Sequence, residues 1–328
     1  MSENPKVSII IPTYNRPIAL MRAIDSAATQ SYKNIEIVVV DDGAFSSATK
    51  ETAERFAASH PSCTVHYVFQ ENAGSAAARN TGVKMSSGEY IVFLDDDDIL
   101  FPNYVSEMLG AFRRNGEKYE AGISDWIVED ANRRLSYGVS APSPLKCPGN
   151  GWMFKRDVFF EKGLWYDPQF RNNEDFELGL RSWDKYEAIF LHTPLFKYSG
   201  PLPAFPAKGE ENKGGNLTNS SNNYADFMKE LSKNASVVAS MSVADRAIIE
   251  HHAGLFAARS GLMSKAREHL LCSLKSTFSF TKLFYFLATF LGWRGFMAVR
   301  VAASRIRRRV EVWRTRELVR KYRSIIPL

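Results

Sequence analysis

Four consecutive aspartates, at residues 95–98, are the side chains of this 328-residue sequence best suited to chemistry. Adjacent carboxylates repel one another, so such a run is unfavourable unless positive charge balances it. In extended backbone, residues two apart point the same way. Asp95 and Asp97 could therefore converge on one divalent cation, which could in turn bridge phosphates. The alternative is a helix cap before Pro102, but a cap uses one carboxylate and not four.

Residues 12–17, Pro-Thr-Tyr-Asn-Arg-Pro, follow an apolar run and form the second polar segment. Tyr14 and Arg16 combine a ring and a cation that could stack on a nucleobase and hydrogen-bond to it. A plain turn made by the two prolines is the alternative for this segment.

Residues 41–43, Asp-Asp-Gly, end the next apolar run and form a second acidic cluster. Asp41 could accept an N–H group of a base or lie near a ribose. The alternative is a simple turn, since Asp-Gly is a strong turn dipeptide.

Residues 72–82 are rich in small side chains and favour a helix that packs close to its neighbours. The amino terminus of this helix, at Gly74, is a possible anion site, and Arg79 could contact a pyrophosphate. The segment has neither the GK[ST] of a P-loop nor the GxGxxG of a dinucleotide fold. Tight helix packing without a ligand is the alternative.

The order of hydrophobic patterns explains how these segments could meet. Apolar strands near residues 7–11, 35–40, 65–69 and 90–94 alternate with helical patterns, which predicts a parallel sheet with helices on its faces. Ligands of such sheets bind at the carboxyl ends of the strands, which is where the polar segments lie. A helix beginning near Glu174, a late strand, a loop at 200–220 and further helices are expected beyond.

In this order the segments resemble the inverting glycosyltransferases of family 2, over roughly residues 5–220. Residues 173–175, Asn-Glu-Asp, followed by a helix with an arginine, resemble the ED motif of that family. The resemblance implies an α/β fold of the GT-A type, a Rossmann-like and mostly parallel sheet flanked by helices, followed by an all-helical C-terminal region. The expected domains are a GT-A domain at 1–220, a helical region at 221–276 and an apolar and basic tail at 277–328.

The resemblance also implies roles for individual residues. Asp175 would be the general base, with Glu174 beside it. Asp97 and Asp95 match the DxD pair, with Asp97 binding Mn²⁺ or Mg²⁺ and Asp95 facing the ribose and the metal. The remaining nucleotide-binding residues would be Pro12, Tyr14, Arg16, Asp41, Arg79 and Asp96.

The family often has a histidine after the late strand, and this sequence has none between residues 198 and 218. Lys208, Lys213 or Asn216 could cover the diphosphate instead.

The implied function is metal-dependent transfer of a sugar from a nucleotide-sugar, UDP being favoured, to a hydroxyl of a glycan or a lipid-linked acceptor. Surface polysaccharide or lipopolysaccharide synthesis is the expected context. One alternative is a sugar nucleotidyltransferase, which would need a Gly-rich loop with Lys or Arg after the first strand. Another is a non-catalytic scaffold that binds membrane or RNA.

Composition and charge separate the body of the chain from its tail. The net charge is +6, yet residues 294–328 hold eleven Lys/Arg against two Asp/Glu, so the remainder is slightly acidic. An apolar stretch at 283–293 is too short to span a bilayer, and the basic amphipathic pattern after it is typical of a membrane-surface element. A packed helical subdomain or an oligomer interface is the alternative, and no nucleic acid partner is expected.

The first residues lack the apolar core of a signal peptide, and the three cysteines form no CxxC pair. A cytoplasmic protein, peripheral on the inner face of the membrane if the tail binds there, is therefore expected.

Overall fold

A computed structural model describes residues 2–115, 118–129, 135–138, 149–170, 174–182, 185–198 and 223–299. Within these residues the strands are β1 (Val7–Thr13), β2 (Ile35–Asp42), β3 (Thr64–Gln70), β4 (Tyr90–Phe93), β5 (Ile99–Leu100), β6 (Ala121–Glu129), β7 (Leu135–Gly138), β8 (Trp152–Lys155) and β9 (Ala188–Tyr198). The helices are α1 (Pro17–Ala28), α2 (Ala48–Ser59), α3 (Ser75–Met85), α4 (Tyr104–Arg114), α5 (Asp157–Phe160), α6 (Glu174–Arg181), α7 (Asn223–Lys233), α8 (Ala235–Ser240), α9 (Val243–Arg259), α10 (Met263–Ser276) and α11 (Phe280–Ala288), followed by a 3₁₀ helix at Thr289–Leu291.

The strands form one sheet in the order β3-β2-β1-β4-β8-β6-β9-β5, with β7 paired to β6. The strands β3, β2, β1 and β4 are mutually parallel, whereas β8 is antiparallel to both β4 and β6. The predicted fold class is confirmed, since the described sheet is mixed but largely parallel and helices flank it. The antiparallel half was not predicted, because the sequence after residue 118 has irregular hydrophobic patterns.

The parallel half has a fully apolar core. Strands β1, β2 and β4 are buried on both faces, and this explains their continuous runs of Ile, Val and Phe. The small residues of α3 let that helix approach the sheet closely. A Cβ atom placed on Gly82 would lie 2.3 Å from Cγ2 of Ile10, so only glycine fits there.

A buried carboxylate ties these strands together at their amino-terminal ends. Glu36 in β2 accepts hydrogen bonds from Ser8 Oγ in β1 (2.6 Å) and from both N and Oγ of Ser87, at 2.6 and 2.8 Å. Lys6 Nζ lies 2.6 Å from the same side chain. These contacts hold the pKa of Glu36 at about 2, because they outweigh the cost of its burial.

The described residues from 223 onward form helices and short connections, and α7, α8 and α9 share a core with α6. Phe176 of α6 stacks on Phe227 of α7, with ring centroids 4.8 Å apart, and Ile249 of α9 belongs to the same buried cluster. The hairpin of α9 and α10 turns at Gly261, whose φ of +79° suits glycine. Among the described helices, none has both the length and the apolar character needed to cross a bilayer.

Candidate active site

The acidic run at 95–98 connects β4 to β5, and its side chains alternate between two environments. Asp96 and Asp98 are buried, with 5% and 0% of their surface exposed. The side chains of Asp95 and Asp97 keep 33% and 27% of theirs. Residues two apart therefore share an environment, and Asp95 and Asp97 are the pair that a ligand could reach.

The two buried aspartates hold the run in place. Thr13 Oγ1, at the end of β1, donates a hydrogen bond of 2.7 Å to Asp96. Asn150 donates to Asp98 through Nδ2, while its Oδ1 accepts from the backbone N–H of Asp95 at 2.9 Å. The run is therefore fixed both to β1 and to the segment that leads into β8.

Arg16 supplies positive charge to one side of the acidic run. Its Nη1 lies 2.9 Å from Asp96 Oδ1 and 3.0 Å from Asp97 Oδ2. Burial still raises the pKa of Asp96 to about 6. Burial and the nearby Asp95 also raise the pKa of Asp97. The aspartates thus remain a region of unfavourable negative charge, where a further cation would be stabilised.

Arg79 connects the acidic run to α6. This buried guanidinium lies between two carboxylates, with Nη2 donating to Asp95 Oδ1 at 2.9 Å and Nη1 donating to Glu174 Oε1 at 2.7 Å. Ser75, at the start of α3, also donates to Glu174. One arginine therefore fixes three elements relative to one another: α3, the acidic run and the start of α6.

Asp175 lies in the first turn of α6, next to Glu174. Burial and the negative charge of Glu174 raise the pKa of Asp175 to about 6, although Arg79 opposes the rise. The Phe176 N–H donates to its Oδ1 at 2.7 Å. A carboxylate with a raised pKa close to the acidic run is a good candidate for a general base.

Tyr198, at the end of β9, lies near the same carboxylates. Burial raises its pKa, and so do the negative charges of the acidic run and of Asp175. A Cβ placed on Gly149 would lie 3.5 Å from Cβ of Asp175, an ordinary van der Waals distance, so Gly149 also lies beside Asp175. Sequence reasoning did not single out Tyr198, because nothing in the local pattern connects it to residues a hundred positions earlier.

The acidic cluster at the end of β2 organises loops. Asp42 accepts from Gly74 N at 2.9 Å and from Ala73 N at 2.9 Å, and this fixes the turn into α3. Asp41 accepts from Tyr67 Oη at 2.8 Å and from Ala44 N at 2.9 Å, and is buried. A contact between Asp41 and a base stays a prediction, and any such contact would have to share a carboxylate that already has two partners.

An aromatic pair lies beside the end of β1. The Tyr14 and Phe45 rings meet edge to face, with centroids 5.8 Å apart, and Phe45 is 88% exposed. Asn15, at a φ of +54°, accepts the Phe45 N–H at 3.0 Å and so holds the two loops together. Phe45 was missed by sequence reasoning, and its only signal is a large apolar residue two positions after Asp-Asp-Gly.

The structure brings the predicted residues to one edge of the sheet. Pro12 lies opposite Val40 in the β1–β2 register, beside the ends of both strands. Lys208, Lys213 and Asn216 lie outside the described residues. His192 is within β9, with Nδ1 3.4 Å from Asp125 Oδ1. Within the described part of the chain, no three His, Cys, Asp or Glu side chains form a metal-binding group.

A largely parallel sheet flanked by helices, with carboxylates from several elements at its carboxyl edge, is the architecture of the GT-A type of α/β fold. The family model for glycosyl transferase family 2 matches residues 8–162. The chain is 36% identical over 198 residues to the glycosyl transferase WcaA of Escherichia coli K12, assigned to colanic acid biosynthesis, and the match covers 57% of this chain and 69% of WcaA. The chain therefore belongs to glycosyl transferase family 2, and the predicted family is confirmed.

Other relatives match over a smaller share of their length. Glycosyltransferase GlyA of Streptococcus pneumoniae is 44% identical over 108 residues, which are 33% of this chain and 15% of GlyA. This chain spans only 18% to 35% of the length of several other relatives.

Solved structures share the fold at low identity. Staphylococcus aureus TarS 1–349 in complex with UDP-GlcNAc has a TM-score of 0.57 at 13% identity, with 92% of each chain covered. The mannosyltransferase PcManGT of Pyrobaculum calidifontis, in complex with GDP-Man and Mn²⁺, has a TM-score of 0.56 at 17% identity, covering 92% of this chain and 87% of that one.

Proposed function

We propose that this chain transfers a sugar from a nucleoside-diphosphate sugar to an acceptor hydroxyl, with inversion at the anomeric carbon. The observation that carries the proposal is the position of Arg79 between Asp95 and Glu174. This bridge puts the partly exposed aspartates of the acidic run close to Asp175. A donor bound at the run would therefore have a candidate base near it.

Asp95 and Asp97 fit a divalent cation, Mn²⁺ or Mg²⁺. Each is contacted by one arginine through one oxygen, and each side chain remains partly exposed. With only two protein carboxylates, the other ligands would be waters and phosphate oxygens, an arrangement that Mg²⁺ commonly adopts and that Mn²⁺ accepts. A cation held there would offset the negative charge of the departing diphosphate.

The nucleoside would lie at the ends of β1 and β2. Tyr14 and Phe45 offer an exposed aromatic surface for a base. Arg16, held by Asp96 and Asp97, would keep the acidic run in position and lie near the phosphates. Pro12 and Asp41 would complete this side of the pocket, while Arg79 would act chiefly through the carboxylates that it already contacts.

Asp175 would take the proton of the acceptor hydroxyl. Its raised pKa makes it a stronger base than an ordinary aspartate, and it is still deprotonated at neutral pH. Glu174, fixed by Arg79 and Ser75, would position the first turn of α6 and sustain that pKa. Attack from the face opposite the diphosphate in one displacement would invert the anomeric configuration.

UDP is the favoured nucleotide, supported by the family resemblance and by the TarS neighbour that holds UDP-GlcNAc. The acceptor would be a glycan or a lipid-linked glycan in surface polysaccharide or lipopolysaccharide synthesis. The likeness to WcaA supports that context.

A donor screen tests this function. UDP-, GDP- and dTDP-sugars would each be added with Mn²⁺ to the whole chain, and thermal stabilisation and slow donor hydrolysis would be followed. We expect one nucleotide class to raise the melting temperature and to be hydrolysed, with both effects removed by EDTA. If no nucleotide sugar stabilises the chain or is hydrolysed, the proposal is wrong.

A further inference from the structure

Helix α11 has an exposed row of apolar side chains. Phe280, Phe284 and Leu287 are 82%, 48% and 54% exposed, and Leu291, in the 3₁₀ helix that follows, is 63% exposed. Their spacing of four, three and four residues places them along one side of the helix. Ala288 is buried in a cluster with Phe296, so the helix also has an apolar face turned to the protein.

The row is part of a larger apolar surface. The Phe278 and Phe280 rings lie 5.5 Å apart, as measured between centroids, and Phe278 is also exposed. The Phe286 and Phe290 rings are 5.4 Å apart. Single exposed apolar residues are normal, but a contiguous group of this size marks a surface that binds something.

Positive charge is concentrated in the same part of the sequence. Residues 259–299 hold six Lys/Arg and one Asp/Glu, and residues 300–328 hold ten Lys/Arg and two Asp/Glu. In contrast, acidic residues are in excess in residues 1–258, with 26 Lys/Arg and 33 Asp/Glu. The Arg267 guanidinium lies 5.1 Å from the Phe290 ring centroid, and Lys275 and Arg294 are exposed. An apolar row with basic neighbours is complementary to the headgroups and acyl chains of an anionic lipid surface.

We propose that the α11 surface, defined as Phe280, Phe284, Leu287 and Leu291 with their basic neighbours, binds an anionic phospholipid bilayer. The helix would lie in the plane of the interface with its apolar row inserted. A second copy of the chain is a poorer occupant, because a two-fold dimer would bring two positively charged surfaces together. This inference concerns membrane binding and is independent of the proposed transfer activity.

Flotation of the whole chain with lipid vesicles tests the proposal. Vesicles of phosphatidylcholine alone would be compared with vesicles that also contain phosphatidylglycerol. The wild-type chain should float with the anionic vesicles, and less so at high salt, since the headgroup attraction is screened. The combined Phe284→Ser, Leu287→Ser and Leu291→Ser variant should lower the partition coefficient at least about tenfold.

Two matched variants separate apolar contact from charge and from general exposure. Phe69→Ser with Met85→Ser removes equally exposed apolar side chains far along the chain and should leave flotation within about twofold. Lys275→Glu with Arg294→Glu should weaken binding to anionic vesicles. Melting temperatures of all variants would show that each remains folded.

Two results would overturn the proposal. One is equal flotation of the wild type and the triple variant. The other is a wild-type dimer, seen by light scattering, that the triple variant converts to a monomer without any change in flotation, since this would make α11 an interface between copies.

Discussion

The four aspartates at 95–98 divide into two pairs with different tasks. Asp96 and Asp98 are buried and hold the loop, while Asp95 and Asp97 are partly exposed and are the candidates for a ligand. The pairing of Asp95 with Asp97 was predicted on the assumption of extended backbone, but residues 96 and 97 form a turn in which the Asp98 N–H donates to Asp95 O at 3.0 Å. The arginines that balance the run were not assigned to it from sequence, because Arg16 is 80 residues from Asp96 in the chain.

The role predicted for Arg79 stays a prediction, and the structure gives this residue two partners that the sequence did not indicate. A pyrophosphate contact was predicted from its position one turn into α3. In the structure its guanidinium lies between Asp95 and Glu174, and the second of these is 95 residues away. Such a bridge depends on how α6 packs against α3, which no local pattern reveals.

Replacing the candidate base tests the role of Asp175. Asp175→Asn should lower turnover at least about a hundredfold, because the acceptor hydroxyl loses its proton acceptor, while nucleotide affinity changes little. Steady-state kinetics and calorimetric titration with nucleotide would measure the two effects. Asp25→Asn, an exposed aspartate of α1, is the matched control. Near-normal turnover of Asp175→Asn would show that the base is another group.

The pH dependence of turnover tests the same carboxylate. The base must be ionised, and its pKa is raised to about 6, so kcat should fall as pH drops through about 6. An ordinary aspartate would keep its activity down to about pH 4.

Glu174→Gln provides the control for this profile. It removes the neighbouring negative charge that raises the pKa of Asp175, so the acidic limb of kcat should move to lower pH. Profiles measured from about pH 4.5 to 8 would show the shift. If kcat falls at the same acidic pH in the wild type and in Glu174→Gln, the two carboxylates are not coupled.

At the scale of elements, the sequence was informative wherever hydrophobic patterns were regular. The four parallel strands and their helices were predicted because buried parallel strands are continuous apolar runs. The helix at Glu174 and further helices after residue 220 were also expected. In contrast, β8 has only four residues and lies between β4 and β6, which are distant in the chain, so its pairing has no local signal.

Loops at the sheet edge were predictable in composition but not in detail. Asp41 and Asp42 were recognised as acidic residues at a strand end. Their main partners, the N–H groups of Ala44, Ala73 and Gly74, depend on the way two loops meet. The sequence could predict that these residues lie at the site, but not that they hold its loops in shape.

Glu36 should contribute to stability through the strands that it joins. Glu36→Gln should lower the free energy of unfolding by about 1–3 kcal/mol at pH 7, because a buried set of donors loses its charged acceptor. The pKa of Glu36 is lowered from 4.5 to about 2, so this contribution is complete above pH 4.5 and is lost as pH falls towards 2.

Urea unfolding at neutral and at acidic pH would measure that contribution. Glu54→Gln is the matched control, since Glu54 is exposed and forms only a long contact with Lys50 and exposed pairs contribute little. The difference in the free energy of unfolding between the wild type and Glu36→Gln should become smaller at acidic pH. If Glu36→Gln lowers the free energy of unfolding at pH 7 by no more than Glu54→Gln does, the hydrogen bonds around Glu36 are not stabilising.

At the scale of the whole molecule, charge and apolar surface are unevenly distributed. The acidic run lies at the edge of the sheet, whereas the exposed apolar row and most of the excess positive charge belong to the helical end of the chain. The proposed domain limits at 220 and 276 follow this division. Helices α7, α8 and α9 still share a core with α6, so this part of the helical region and the candidate base are joined by packing.

The central claim about this protein is that aspartates of one loop bind a nucleotide sugar through a divalent cation. Calorimetric titration of nucleotide in the presence of Mn²⁺, for the wild type and Asp97→Ala, tests this most directly. We predict nucleotide binding that requires Mn²⁺ in the wild type and the loss of that binding in Asp97→Ala, while Asp25→Asn behaves as the wild type. Unchanged binding of nucleotide and Mn²⁺ by Asp97→Ala would contradict the account.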